Sequence, residues 1–174
     1  LVAATDSPVS IVGERGTGKE LVAHAIHLNS PRRDQPLIKV CCADLPEALL
    51  EAELFGHEKG AFPGALRQRR GRFELAHKGT LLIDDIDAVS PNVQARVWRV
   101  LQNRRFERVG GREHIEVDVR IVCASKDDLK GMAYQGRFHK ELSDQLTAVQ
   151  IVVPPLRERR EDVLVIAEYM LEAR

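Results

Sequence analysis

The string GERGTGKE at residues 13–20 constrains this chain more than any other. It follows an apolar run, VSIV at 9–12, and opens a helical pattern near 19–29. A G-x-x-x-x-G-K string between a strand and a helix is the signature of a phosphate-binding loop. The glycines at 13, 16 and 18 let the backbone curl until successive N–H groups face one anion. The helix N-terminus adds positive potential, and Lys19 adds a full charge for the outer phosphates. Glu20 stands where the pattern usually has Ser or Thr. The spacing predicts a nucleotide site formed by Gly13, Glu14, Arg15, Gly16, Thr17, Gly18, Lys19 and Glu20. The bland alternative is a glycine-rich turn with no ligand, and the strand–turn–helix setting weighs against it.

A loop of this kind needs a parallel sheet behind it. Four further apolar runs supply one: LIKVCC (37–42), TLLID (80–84), VRIVCAS (119–125) and VQIVV (149–153). Each is nearly continuous, as expected of strands covered on both faces. Helical patterns fall near 47–55, 70–76, 91–102, 127–135 and 160–173. The alternation predicts an α/β fold with a five-stranded parallel sheet between helices. Ser90-Pro91 reads as an N-cap followed by proline at the first helical position. The helix after it should turn Val93, Val97, Val100 and Leu101 inward, and the last helix Val163, Ile166, Ala167 and Met170. Gly110-Gly111 predicts a hairpin or flexible excursion.

Composition removes some functions. With 174 residues the chain is the size of one domain. Its 26 Lys+Arg against 26 Asp+Glu argue against a chain built mainly to bind nucleic acid or a membrane surface. No apolar run is long enough to span a bilayer. The N-terminus LVAATDSPVS lacks the regions of a signal peptide, so the expected location is cytoplasmic. A start at Leu points to a fragment of a longer protein. Cys41, Cys42 and Cys123 form no C-x-x-C pair and read as reduced thiols. His24 and His27 read as a solvated helix face, RQRRGR (67–72) as a solvated helix start, and Trp98 as a packing residue.

TLLIDD (80–85) is the natural companion of the phosphate loop. Its strand should deliver Asp84 to hold Mg²⁺ through water and Asp85 to face an attacking water. With these motifs in place, the chain resembles the AAA+ ATPase domain of bacterial enhancer-binding proteins, the activators of sigma-54 RNA polymerase. The resemblance runs from IVGERGTGKELVAHAIH through LPEALLEAELFGHEKGAF, GRFELAHKGTLLIDD, VLQNRRFERVGG and VDVRIVCAS to PPLRERREDV. It covers nearly the whole chain. It implies ATP or ADP with Mg²⁺ as cofactors, a ring oligomer, usually a hexamer, and RNA polymerase with sigma-54 or another sigma factor as partner. It also implies a helical lid, a sensing domain and a DNA-binding domain, which are expected outside residues 1–174, so that DNA would be met only through them.

The same resemblance marks departures. The family's Gly-Ala-Phe-Thr-Gly-Ala loop is here Gly60, Ala61, Phe62, Pro63, Gly64 and Ala65. Proline removes a hydroxyl and a backbone N–H together, beside a phenylalanine that looks exposed. A second partner loop is expected near 110–116. Asp85 stands at the position of a catalytic glutamate, Cys41 at that of the asparagine orienting it, and Lys126 at that of a sensor asparagine. His139 and Gln145 stand where two arginines reach the neighbouring subunit's γ-phosphate, with Arg137 and Lys140 nearby as remaining cations. A carboxylate withdrawn by one methylene retreats by roughly 1 Å, which can cost on the order of 10²-fold. Arginine fingers contribute about 10³–10⁵. The expectation is retained nucleotide binding with impaired hydrolysis and impaired sigma-54 remodelling. The alternatives are a working motor with a divergent residue set and a scaffold that no longer binds nucleotide.

Overall fold

A computed structural model describes residues 2–172, without the side chains of residues 169, 170 and 172. Five strands form one parallel sheet: β1 (Val9–Val12), β2 (Leu37–Cys41), β3 (Thr80–Asp84), β6 (Arg120–Ser125) and β7 (Val149–Val152), in the order β2-β3-β6-β1-β7. The sheet is the predicted one, each strand within a residue or so of its expected range. Two short strands, β4 (Arg105–Phe106) and β5 (Ile115–Glu116), pair antiparallel around Gly110-Gly111.

The apolar residues of the strands sort by alternation. Leu81 and Ile83 of β3, with Ile121 and Cys123 of β6, face a core shared with helices α2 (Glu47–Phe55) and α4 (Pro91–Asn103). Leu82 and Val122, one residue out of phase, face α1 (Lys19–Leu28) with Val9, Ile11, Ala23 and Ile26. In β1, β3 and β6 both faces are buried, which is why these runs read as continuous. Helix α4 starts as predicted, with Ser90 Oγ accepting from Val93 N–H at 3.4 Å. Val93, Val97 and Val100 are buried, Leu101 and Trp98 partly so.

Some expectations change. The helix expected at 70–76 shortens to α3 (Arg72–Leu75), and that at 127–135 to α5 (Leu129–Tyr134). A further helix, α6 (Lys140–Leu146), was not expected from its short polar sequence. His27 is not on a solvated face: it is buried, its Nδ1 3.0 Å from Thr80 Oγ1, and burial holds its pKa below the usual value, while His24 is exposed. In α7 (Asp162–Glu172), Val163 and Ala167 are exposed rather than inward, Ile166 is half-buried, and the Met170 side chain lies outside the described residues. No helix among the described residues is long and apolar enough to cross a membrane.

Candidate nucleotide site

The strand order sets the site. β1 delivers residues 13–20, β3 delivers Asp84 and Asp85, and β6 runs between them. Ligand crevices in open α/β sheets lie at the carboxyl ends of the strands. Here Gly16, Gly18, Lys19, Cys41, Asp84 and Asp85 share one open cleft of ≈ 700 Å³ with Arg15, Glu20, Leu21, His24 and Asp44.

Gly16 and Gly18 have φ of 79° and 90°, a left-handed backbone that favours glycine. Through that curl the loop reaches the first turn of α1. Lys19 is buried and folds back on the loop, donating to the carbonyls of Gly13 at 2.8 Å and Glu14 at 3.0 Å. Thr17 is buried too, its hydroxyl donating to Glu14 O at 2.9 Å.

Across the cleft, Asp84 ends β3, and one of its oxygens accepts the Asp85 N–H at 3.1 Å. Asp85 has a left-handed backbone at φ 53°, ψ 45°, a conformation aspartate visits more readily than most residues. Its Oδ2 lies 3.8 Å from Cys41 Sγ and 3.7 Å from Arg15 Nη2. A thiol is a weak donor. Burial and then the Asp44 carboxylate raise the Cys41 pKa, so it approaches Asp85 as a neutral group at neutral pH. Lys126 follows β6 directly beside the phosphate loop, where Gly13 N–H donates to Ser125 O at 3.1 Å.

The structure thus brings Cys41, Asp84 and Asp85 to the phosphate loop. It does not bring His139 and Gln145 there. His139 caps α6 with Nδ1 accepting from Leu142 N–H at 3.3 Å, its ring centroid 5.2 Å from that of Trp98. Gln145 accepts from Gln102 at 3.1 Å. Both belong to a different face of the chain.

Four residues were missed from the sequence. Asp87 accepts the N–H groups of Lys126 and Asp127 at 3.2 and 3.3 Å and so fixes the end of β6. Arg157 grips Glu14 with two bonds of 2.9 and 2.5 Å and holds its carboxyl below the usual range. Arg159 donates to Thr17 O at 2.7 Å. Lys39 lies 2.7 Å from Glu20 and 3.4 Å from Asp84. A charge inside the apolar run LIKVC was the one available signal for it. The arginines sit more than 140 residues from the loop they touch.

No cluster of three or more His, Cys, Asp or Glu among the described residues stands ready for a metal. Mg²⁺ is usually held by one or two carboxylates plus phosphates and water, and Asp84 presents one oxygen not engaged by the Asp85 N–H. The ammonium of Lys39 beside Asp84 and Glu20 marks the spot as one that draws a cation.

The loop at 56–65 is well built. Ala65 N–H donates to Phe62 O at 3.0 Å, closing a turn with Pro63 and Gly64 at its centre. Gly64 has φ of 100°, and Pro followed by a residue of positive φ is the type II pattern. Phe62 is half-buried rather than exposed, its ring centroid 4.9 Å from that of His57. The loop is tied to the β4–β5 excursion through Glu58 N–H to Val109 O and Val109 N–H to Gly56 O, both 3.0 Å.

A parallel sheet in this order, with a phosphate loop after β1 and an acidic pair after β3, defines a P-loop NTPase domain of AAA+ type. A family profile described as the sigma-54 interaction domain matches residues 1–152, and the chain belongs to that family. The Nif-specific regulatory protein of Herbaspirillum seropedicae is 55% identical over 98% of this chain and 31% of its own length. NtrX from Brucella abortus in complex with ADP superposes with a TM-score of 0.90 at 38% identity, over 99% of this chain and 37% of that one. The same protein in complex with ATP gives 0.88 at 38% identity, over 98% and 38%. This chain spans about a third of the length of the curated relatives it matches.

Proposed function

We propose that residues 1–174 are the α/β subdomain of a cytoplasmic sigma-54-activator-like regulator that binds ATP or ADP, hydrolyses it slowly and remodels sigma-54 poorly. The lid, sensing and DNA-binding parts would belong to other segments of the longer protein. Residues 13–20 would cradle the phosphates, and Asp84 would help hold Mg²⁺, which would neutralise phosphate charge when bound. Asp85 would orient the attacking water. In a ring of such domains, hexameric by analogy with the family, His139 and Gln145 would face a neighbour's nucleotide.

The observation that carries the reading is the pairing at Asp85: its neighbours are a neutral thiol at 3.8 Å and an exposed Arg15 at 3.7 Å, while the phosphate loop beside it is intact. Binding machinery is present, and the group that should steer the base is a weak donor. Histidine and glutamine at these positions lack the fixed charge and planar fork of an arginine. Relaxed catalysis in this form costs binding nothing.

At the partner loop, Pro63 sits where a type II turn accepts proline. What is lost is the hydroxyl and amide that threonine would present beside Phe62. Native-gel co-migration with sigma-54, with and without an ATP transition-state analogue, tests this. The wild-type domain should not be trapped, and Pro63→Thr should be trapped where the ring assembles. Stable analogue-dependent trapping of the wild type would overturn the proposal and favour a working motor.

A further inference from the structure

Lys39 belongs to none of the motifs above, yet its ammonium sits at the mouth of the phosphate site. Three elements meet there: Lys39 from β2, Glu20 from the first turn of α1 and Asp84 from the end of β3. Lys39 pairs in register with Leu82, two residues before Asp84, so the parallel β2–β3 ladder sets its reach. Its Nζ lies 2.7 Å from Glu20 Oε2 and 3.4 Å from Asp84 Oδ2. Asp84 Oδ1 is engaged by the Asp85 N–H, so Lys39 faces the other oxygen, the one open to a cation. The three side chains are 38%, 49% and 21% exposed, so their charges are neither fully hydrated nor fully screened.

A polyphosphate brought next to two carboxylates is repelled unless a cation stands between. We propose that Lys39 is an internal counter-cation: it neutralises Glu20 and Asp84 while Mg²⁺ is away and cedes Asp84 when Mg²⁺ arrives. The assignment rests on the nucleotide-binding reading and adds a residue to it. The longer of its two contacts is the one that must be given up, and the shorter, to Glu20, keeps the ammonium nearby. A divalent ion sharing phosphate oxygens outcompetes a tethered monovalent charge for one carboxylate. Lys39 is therefore a positioning residue that sets how strongly the site depends on Mg²⁺.

The test compares wild type with Lys39→Met, Lys39→Gln and Lys39→Arg. The first readout is the melting midpoint in EDTA and in millimolar Mg²⁺ at fixed ionic strength, with no nucleotide. Wild type and Lys39→Arg should be indifferent to Mg²⁺. Lys39→Met and Lys39→Gln should melt lower in EDTA and recover on adding Mg²⁺. The second readout is binding of a fluorescent ATP analogue in EDTA. It should weaken about ten-fold in the two neutral variants, the scale of one charge at a half-exposed site, and return in Mg²⁺. Neutral variants as indifferent to Mg²⁺ as wild type would overturn the assignment, as would Lys39→Arg behaving like Lys39→Met. If no form binds the analogue even in Mg²⁺, the nucleotide reading fails and the melting comparison still decides the role of Lys39.

Discussion

Arg108→Met should both destabilise the domain and uncouple the 56–65 loop from the β4–β5 excursion. Arg108 lies on the β4–β5 excursion. It donates twice to Glu74, at 2.8 and 2.7 Å, and once to Glu58 at 2.9 Å. The arginine and Glu74 side chains are only 11% and 9% exposed, whereas Glu58, in the segment leading to the proline turn, is 31% exposed. Two charge-assisted bonds in a planar fork to a nearly buried carboxylate are the strong part of the network. Removing the guanidinium leaves Glu74 buried and unpaired, which costs about 3–5 kcal/mol at full burial. Residual exposure of both partners reduces this to about 2–3 kcal/mol, a large share of the ~5–15 kcal/mol that stabilises a domain. Urea unfolding should show a lower midpoint at unchanged slope. Adding Glu74→Gln should recover part of the loss, because the orphaned charge is gone. Amide exchange should quicken at Glu58 and Val109, whose N–H groups tie the two loops. A loss below about 1 kcal/mol, or a double variant no better than the single, would refute the reasoning.

Three other outcomes follow from the site and its surroundings. Restoring Cys41→Asn, Asp85→Glu, His139→Arg and Gln145→Arg should raise steady-state turnover only in combination, since residues acting as a unit are non-additive; a full gain from one change would contradict this. Burial holds the His27 pKa below 6.5, so the fold favours the neutral ring. Its contribution is complete above about 6.5 and declines as pH falls through the lowered folded value. Melting midpoints should therefore drop on that acid limb, and His27→Gln should flatten it; parallel profiles would count against it. Arg159→Ala should weaken analogue binding several-fold by freeing the Thr17 carbonyl it holds at 2.7 Å, with unchanged affinity as the contrary result.

The sheet was legible because its central strands β1, β3 and β6 are buried on both faces and read as apolar runs, and the phosphate loop because its glycines have no other use in that setting. Helix α6 was missed because HKELSDQ is short and polar, and what stabilises it is a local cap by His139, whose own N–H is held by Gln94, and three buried residues, Leu142, Ser143 and Leu146. His27 was misread because helical spacing cannot tell which side of α1 meets β3. Of the inward face expected of α7, Val163 and Ala167 are exposed and only Ile166 is half-buried, because an apolar residue on a helix is buried only where another element packs against it. Lys39, Arg157 and Arg159 reach the site only through the fold, across separations of 19 to 143 residues, which no local pattern encodes.

The most direct test of the account measures nucleotide binding and steady-state turnover on the same preparation, over a range of protein concentrations that promotes assembly. The account predicts that a fluorescent ATP analogue binds the wild type, that Lys19→Ala weakens this binding at least ten-fold, and that turnover stays far below the ordinary enzyme range even at the highest concentration. Turnover on the order of 1 s⁻¹ or above, rising as subunits assemble, would contradict it.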